Sequence, residues 1–460
     1  MTAGGPNAGA GGPNFSSDDS QGRADAALAR LAGACSLTRL FVPGRIEVLG
    51  KHTDYAGGHS VTCAAERGFS VSYVPRDDDR VRLVDACDGR QVDFRIDAGL
   101  TPEIGHWSSY PMTVARRLAH NFGPLDRGVD IAFFGTLPKS AGLSTSSALM
   151  TAVFLVLADV NHLRADARFH DVLPDSAALA GYLGSIENGR DFGPFAGDAG
   201  VGTSGGSEDH TAIVMSEAGM LGWYRYHPVE RLRQMPLRED LSFVIAASGI
   251  AAAKTGDARE RYNRASDLVS ELVAIGTALR TDRRAELQFR RHGDALTLAD
   301  LLDSAPEAAA ELRAGLAGCV SRFPVVDLQR RLDHFITEDR QILPAAFGAL
   351  GQGRLSDFGA LVDRSQRAAR DLLGNQVPET VTLARLAREL GAHAASSFGA
   401  GFGGSVWALV DANRAEAFAE QWMSAYAGPH PDAAARATAF VTQPGSGVAG
   451  IAVCGLRNAD

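Results

Sequence analysis

Four segments of this 460-residue chain gather residue types that can do chemistry. Gly44-Arg45-Ile46-Glu47-Val48-Leu49-Gly50-Lys51-His52-Thr53-Asp54-Tyr55 sets an arginine, a histidine and an aspartate around two glycines, after the apolar lead-in Leu40-Phe41-Val42. Polar residues that dense on a strand-to-turn segment suit a polar small molecule better than a core. The stretch from Gly135 to Ala148 follows an apolar run (Val129, Ile131, Ala132, Phe133, Phe134) that reads as a strand, and precedes 148–158, which reads as a buried helix. Ser144, Thr145 and Ser146 are N-cap types, Gly142 lets backbone approach a ligand, and a helix start suits phosphate. The stretch lacks a Walker ending and Rossmann spacing. By itself it also reads as a loop capping a buried helix.

Gly205-Gly206-Ser207-Glu208-Asp209-His210 offers a carboxylate on a glycine-rich turn, as a base for a hydroxyl proton requires. The rival reading is an acidic pair at a helix N-terminus. Ser397-Phe398-Gly399-Ala400-Gly401-Phe402-Gly403-Gly404-Ser405 has the glycine density of a tight turn against the strand-like 406–410.

Together and in this order, from about residue 40 to the C-terminus, these segments resemble the galactokinases. They fall within the small-molecule kinase family that includes homoserine, mevalonate and phosphomevalonate kinases. The resemblance implies ATP and Mg2+ as cofactors. It places Pro138, Lys139, Ser140, Ala141, Gly142, Leu143, Ser144, Thr145 and Ser146 around the phosphates, as in the family's Pro-x-x-x-Gly-Leu-Ser-Ser-Ser-Ala loop. Thr145 stands for the second serine and Ser147 for the alanine. Ser146 and Glu187 (in Ile186-Glu187-Asn188) take the Mg2+ roles, a chemically sufficient pair alongside phosphate oxygens. Asp209 takes the place of the base, and Arg45 would keep it ionised and offset charge on the moving phosphoryl group. His52, Asp54, Gly206 and Tyr262 match sugar contacts, the last in Glu260-Arg261-Tyr262-Asn263-Arg264. Trp107, with Tyr110, matches an aromatic pair near the nucleotide.

The departures are informative. Lys51 replaces the glutamate of Glu-His-Thr-Asp-Tyr, Glu208 and His210 replace methionine and glutamine beside the base, Ser405 replaces a cysteine, and Ser365-Gln366 stands where Ser-His is usual. A sugar-binding Lys51 would suit a carboxylate, such as that of a uronic acid; it could also pair with Glu47 or Glu208, or face solvent. The gap from Glu187 to Asp209 is longer than the family's by about ten residues. Its glycines (Gly193, Gly197, Gly200, Gly202, Gly205) read as a loop insertion, able to reshape the sugar pocket or form a lid.

The implied activity is transfer of the γ-phosphoryl group of ATP to the anomeric hydroxyl of galactose or a related sugar. The alternatives are a kinase for a uronic acid such as galacturonate, and a non-catalytic sugar sensor. His52-Thr53-Asp54 argues against mevalonate.

The elements that position these groups read as strands and turns over 38–100 and mixed structure to 235. A strand follows at Leu241 to Ala247, then helices over 257–393, a strand at 405–410, a helix at 414–426 and strands at 437–441 and 449–454. Segregated runs suggest an α+β fold. The family fold is two such domains with the active site in the inter-domain cleft: a disordered tail over 1–22, an N-terminal kinase domain with the phosphate loop over 23–235, and a C-terminal one over 236–460. Hydrophobic content of 45% and charged content of 22% are ordinary for a soluble protein. A net charge of −9 argues against a nucleic-acid surface. No apolar run approaches membrane-spanning length. Five scattered cysteines suit a reducing cytoplasm and offer no zinc site.

Overall fold

Twelve strands among the described residues form two sheets. They are β1 (Thr38–Leu49), β2 (His59–Pro75), β3 (Arg80–Asp85), β4 (Gln91–Arg95), β5 (Val129–Gly135), β6 (Met220–Arg225), β7 (Glu230–Pro236), β8 (Leu241–Ala247), β9 (Ala394–Ser397), β10 (Ser405–Asp411), β11 (Thr438–Thr442) and β12 (Pro444–Gly445). This computed structural model describes residues 16–33, 36–138, 141–252, 256–279 and 296–448. The first sheet runs β4-β3-β5-β2-β6-β7, with β1 and β12 also paired to β2; the second runs β11-β8-β10-β9. Pairing is antiparallel except between β3 and β5.

The long β1–β2 pair carries the first chemical segment. Its register sets Arg45 opposite Ala64 and Glu47 opposite Thr62. The turn between the strands needs positive φ at Gly50 (103°) and Gly57 (75°), and holds His52 at 57°. A Cβ on Gly50 would lie 2.5 Å from Ser60 Cα, so only glycine fits this close approach.

Helix Thr145–Val160 is apolar around its circumference and buried along nearly its whole length, as a helix between other elements must be. It packs with helices Ser109–Phe122 and Ser176–Asn188 and the first sheet in one core. Helices Pro378–Glu389 and Ala415–Ala427 cover one face of the second sheet. A further cluster joins Ile46, Val48 and Leu49 of β1 to Phe243, Ile245, Trp407 and Leu409 of the second sheet, so both sheets share buried surface next to the chemical segments.

Several sequence expectations change. Residues 17–22 are the start of helix Ser17–Ala32, because Ser16 accepts the Asp19 N–H at 3.1 Å and two aspartates face the helix N-terminus. Leu28 and Ala24 then bury against neighbouring elements. The rest of the expected tail, 1–15, lies outside the described residues, as do Lys139, Ser140 and the strand expected at 449–454. β9, a run of Ala-Ala-Ser-Ser, carries no alternation that could announce a strand, and β12 crosses back to the first sheet. The 257–393 stretch contains a π-helical turn, Ile336–Ile342, which brings Glu338 and Asp339 to the β1–β2 turn.

Candidate active site

Two cavities meet at Arg45, Asp209 and Ala400, which line both. The larger is aromatic at one end, with Trp107, Tyr110 and Phe133, and polar at the other, where Gly142, Ser144, Thr145 and Ser146 begin helix Thr145–Val160. Arg90 stacks over Trp107, its guanidinium carbon 5.2 Å from the ring centroid. Ser144 adopts left-handed backbone angles (φ 58°) and makes no side-chain cap bond; its buried hydroxyl has no hydrogen-bond partner. Such strain in a non-glycine residue is held by its surroundings. A cluster of unpaired helix-start N–H groups with a free hydroxyl can hold an anion. Leu143 and Ala141 do not face this cavity as sequence suggests. They are core residues that anchor the loop, and Pro138 is half-buried at its entry.

The glycine turn after β9 closes over this loop. Ser405 Oγ donates to the Ala141 carbonyl at 2.6 Å, and a Cβ on Gly399 would lie 2.9 Å from the Gly142 carbonyl. Gly399 N–H donates to Glu47 Oε2 at 3.2 Å.

Arg45 organises the junction. Its Nε donates to Asp209 Oδ1 at 2.8 Å, its Nη2 lies 2.7 Å from the same oxygen, and Nη1 donates to the Gly142 carbonyl at 2.8 Å. It also lies 3.6 Å from Glu208 and 4.0 Å from Glu47. Burial alone would lower the pKa of this guanidinium, but Asp209, Glu208 and Glu47 outweigh it and raise it.

The smaller cavity is lined by His52, Asp54, Gly206 and Tyr262, together with Glu47, Glu187 and Glu208. Gly206 is demanded by Asp54, whose carboxylate a Cβ would strike. Asp54 Oδ2 accepts the Glu208 N–H at 3.3 Å. His52 Nδ1 pairs with the Tyr55 hydroxyl at 2.8 Å and Nε2 with the Ala400 carbonyl at 3.2 Å, so both ring nitrogens have protein partners. Arg331, unmarked in the sequence, fixes this turn by donating to the His52 carbonyl at 2.6 Å.

The sequence paired Ser146 with Glu187. The serine whose hydroxyl reaches Glu187 is the next one: Ser147 Oγ lies 2.9 Å from Glu187 Oε2 and 3.2 Å from Asp209 Oδ2. His210 Nε2 sits 3.0 Å from the same Glu187 oxygen.

Lys51 departs from expectation. It is absent from the lining of both cavities; its Nζ is buried, donating to Ser365 Oγ at 2.9 Å and lying 4.0 Å from Glu338 Oε1. A substrate carboxylate therefore gains no partner from it. The glycine-rich insertion is likewise not a free lid. Arg116 grips Asp198 at 2.9 Å, Arg117 donates to the Arg190 carbonyl at 2.8 Å, and Asn263 of helix Gly256–Leu279 donates to the Gly202 carbonyl at 3.0 Å. Phe195 and Val201 are buried in the first core.

Three family models match the chain in order: the galactokinase galactose-binding signature over 38–75, the GHMP kinases N terminal domain over 109–193 and the GHMP kinases C terminal domain over 346–428. The chain belongs to the GHMP kinases, in their galactokinase branch. A galactokinase of Exiguobacterium sibiricum is 28% identical over 84% of this chain and 87% of its own length. One of Actinobacillus succinogenes is 25% identical over 82% and 86%. The fold of Lactococcus lactis galactokinase, solved with galactose, superposes with a TM-score of 0.72 at 24% identity, covering 92% of this chain and 97% of that one. Methanococcus jannaschii mevalonate kinase shares the fold more distantly, with a TM-score of 0.52 at 12% identity over 90% and 99%.

As a GHMP kinase the chain is an ATP-using phosphotransferase with an alcohol group as acceptor. The galactokinase signature ends with β2, so it covers the Arg45–Tyr55 segment and does not reach Asp209. Sequence reasoning did not single out Glu47, which lines the smaller cavity, or Ser147, whose hydroxyl reaches Glu187 and Asp209. Alternation along β1 could have found Glu47, which shares a strand face with Arg45.

Proposed function

We propose that this enzyme transfers the γ-phosphoryl group of ATP to the anomeric hydroxyl of galactose or a related sugar. The observation that carries the reading is the Arg45–Asp209 pair standing where the two cavities meet. The larger cavity takes the nucleotide, adenine toward Trp107 and phosphates at the start of helix Thr145–Val160. The smaller takes the sugar, between Asp54, Gly206 and Tyr262, as the galactokinase relatives and the galactose-bound Lactococcus lactis fold suggest.

In this reading Asp209 accepts the proton of the attacking hydroxyl. Arg45 holds the Asp209 carboxylate in place and opposes charge on the transferring group. Gly142 N–H and the helix-start N–H groups, with the orphan Ser144 hydroxyl, bind phosphate oxygens. The donor set fits Mg2+: Glu187 supplies a carboxylate, Ser146 a hydroxyl on the phosphate side, and Ser147 holds Glu187 toward Asp209. Bound there, Mg2+ would neutralise phosphate charge. Positioning in a closed cleft supplies most of the rate.

The base, the loop and Glu187 all border the cavities, which favours turnover over a sensor. The uronic-acid reading loses its support with Lys51. We also read the chain as two domains dividing near residue 236, supported by the break between β7 and β8. No helix among the described residues is long and apolar enough to cross a membrane. We read the enzyme as cytoplasmic, a reading supported by Cys63, Cys87 and Cys319, which form no disulfide among the described residues.

The test is ADP release with ATP-Mg2+ against galactose, galactosamine, glucose, arabinose, galacturonate, glucuronate and mevalonate. Turnover of galactose or a close relative supports the reading. Silence with every sugar overturns it.

A further inference from the structure

One wall of the smaller cavity is a loop with little backbone order of its own. Gly202, Gly205 and Gly206 stand close together in it, Gly202 at a positive φ of 86°, and Gly205 and Gly206 line the cavity. Unheld, such a segment samples many backbone states, and ordering it costs free energy. The loop runs directly into Ser207 and helix Glu208–Met215, which carries Asp209.

Three elements hold it. Asp54, in the β1–β2 turn, accepts the Glu208 N–H at 3.3 Å. Asn188, next to Glu187, donates from Nδ2 to the Gly205 carbonyl at 2.9 Å. Asn263, on helix Gly256–Leu279, makes two bonds. Its Oδ1 accepts the Ser204 N–H at 2.9 Å, and its Nδ2 donates to the Gly202 carbonyl at 3.0 Å. The amide thus presents an acceptor and a donor to backbone groups two residues apart. An ionised aspartate of the same shape would have no donor. Tyr262, the preceding residue, lines the cavity, its ring centroid 5.2 Å from that of His52. The loop packs against its hydroxyl, since a Cβ on Gly205 would lie 2.7 Å from it. Two successive helix residues therefore supply a wall of the cavity and the clamp on the loop beside it.

We propose, resting on the sugar-kinase reading above, that Asn263 is a positioning residue for the acceptor. By fixing the 202–206 loop against Tyr262, it keeps the acceptor pocket formed before the sugar arrives. Without the clamp, the cost of ordering the glycines falls on sugar binding. Gly202, Ser204 and Asn263 are all absent from the lining of the larger cavity, so nucleotide binding should not share that cost.

The test is steady-state kinetics and calorimetry on the full-length protein carrying Asn263→Ala or Asn263→Asp, with galactose, galactosamine, glucose and arabinose. Alanine removes both bonds. Aspartate keeps the shape and the Ser204 bond but sets a carboxylate oxygen against the Gly202 carbonyl. We expect the acceptor KM and Kd to rise about tenfold in each variant, the scale of one or two hydrogen bonds. The ATP KM and the thermal midpoint should be little changed. Acceptor values equal to wild type in both variants overturn the proposal. So does a parallel rise in both KM values with a lowered midpoint, the mark of a general loss of structure. If the wild type binds a sugar but releases no ADP, the sugar-kinase reading fails; a Kd shift in the variants then still supports the clamp, and an unshifted Kd overturns it. A wild type that binds none of these sugars overturns both.

Discussion

Lys51 Nζ lies 4.0 Å from Glu338 Oε1, across 287 residues of chain, and the two side chains are 1% and 0% exposed. Ser365 Oγ bridges them, donating to Glu338 Oε1 at 2.9 Å while accepting from Lys51 at 2.9 Å. Glu338 Oε1 also accepts the Gly50 N–H at 3.0 Å. The turn carrying His52 and Asp54 is thus locked from the helical layer. Lys51→Ala would leave Glu338 buried without its counter-charge and should cost about 3–5 kcal/mol of stability. Urea denaturation measures this. Adding Glu338→Gln should recover part of the loss, and an unchanged midpoint in the single variant would refute the role.

Asp209→Asn keeps the shape of the site but removes the proposed proton acceptor. Turnover should fall by roughly 10²- to 10⁴-fold. Nucleotide affinity, measured by calorimetry, should stay near wild type because the phosphate loop is unaltered. Near-normal ADP release would remove Asp209 from the base role.

Ser147 has one hydroxyl proton and two carboxylates in reach, Glu187 at 2.9 Å and Asp209 at 3.2 Å. Ser147→Ala should loosen Glu187 and raise the Mg2+ concentration needed for half-maximal rate by about tenfold, the scale of one hydrogen bond to a charged group. An Mg2+ titration that overlays wild type would show that Glu187 needs no such support.

Glu208 and Glu47 are raised above the ordinary glutamate range, in each case by burial first; for Glu208 the Glu47 charge adds to it. A raised folded-state carboxyl contributes stability fully below the unfolded value of 4.5 and loses it as pH rises through the folded value. The ligand-free protein should therefore lose stability from this site as pH climbs from 4.5 through neutral. Glu208→Gln should melt higher than wild type, by a margin that grows with pH. Paired thermal melts across that range check the sign, and a margin that shrinks with pH would contradict it.

Gly206→Ala puts a methyl group against the Asp54 carboxylate. The acceptor KM should rise at least about tenfold, as for loss of a charged hydrogen-bonding partner, with the ATP KM little changed. Steady-state kinetics with each substrate varied in turn separates the two, and a rise confined to the ATP KM would place Gly206 in the wrong cavity.

Local chemistry wrote itself into the chain. β8, expected over Leu241 to Ala247, has those limits because six of its seven consecutive buried positions carry apolar residues. The loop before helix Thr145–Val160 was readable because small residues stand at the start of an apolar helix. Arg45 and Asp209 were legible as separate residues in glycine-bounded turns. Their 2.8 Å contact across 164 positions was a consequence of how β1 packs against helix Glu208–Met215. Lys51 shows the limit most clearly. A lysine beside His52 carries no local sign of its partner, because Glu338 and Ser365 come from helices about three hundred positions away and only packing brings them to it. The same holds for Ser147, one residue past the expected metal serine: the helical turn, at about 100° per residue, decides which hydroxyl faces Glu187. Sequence determined the residue types and the order of the motifs. Tertiary structure decided which charges meet, because pairing depends on distances that no linear spacing encodes.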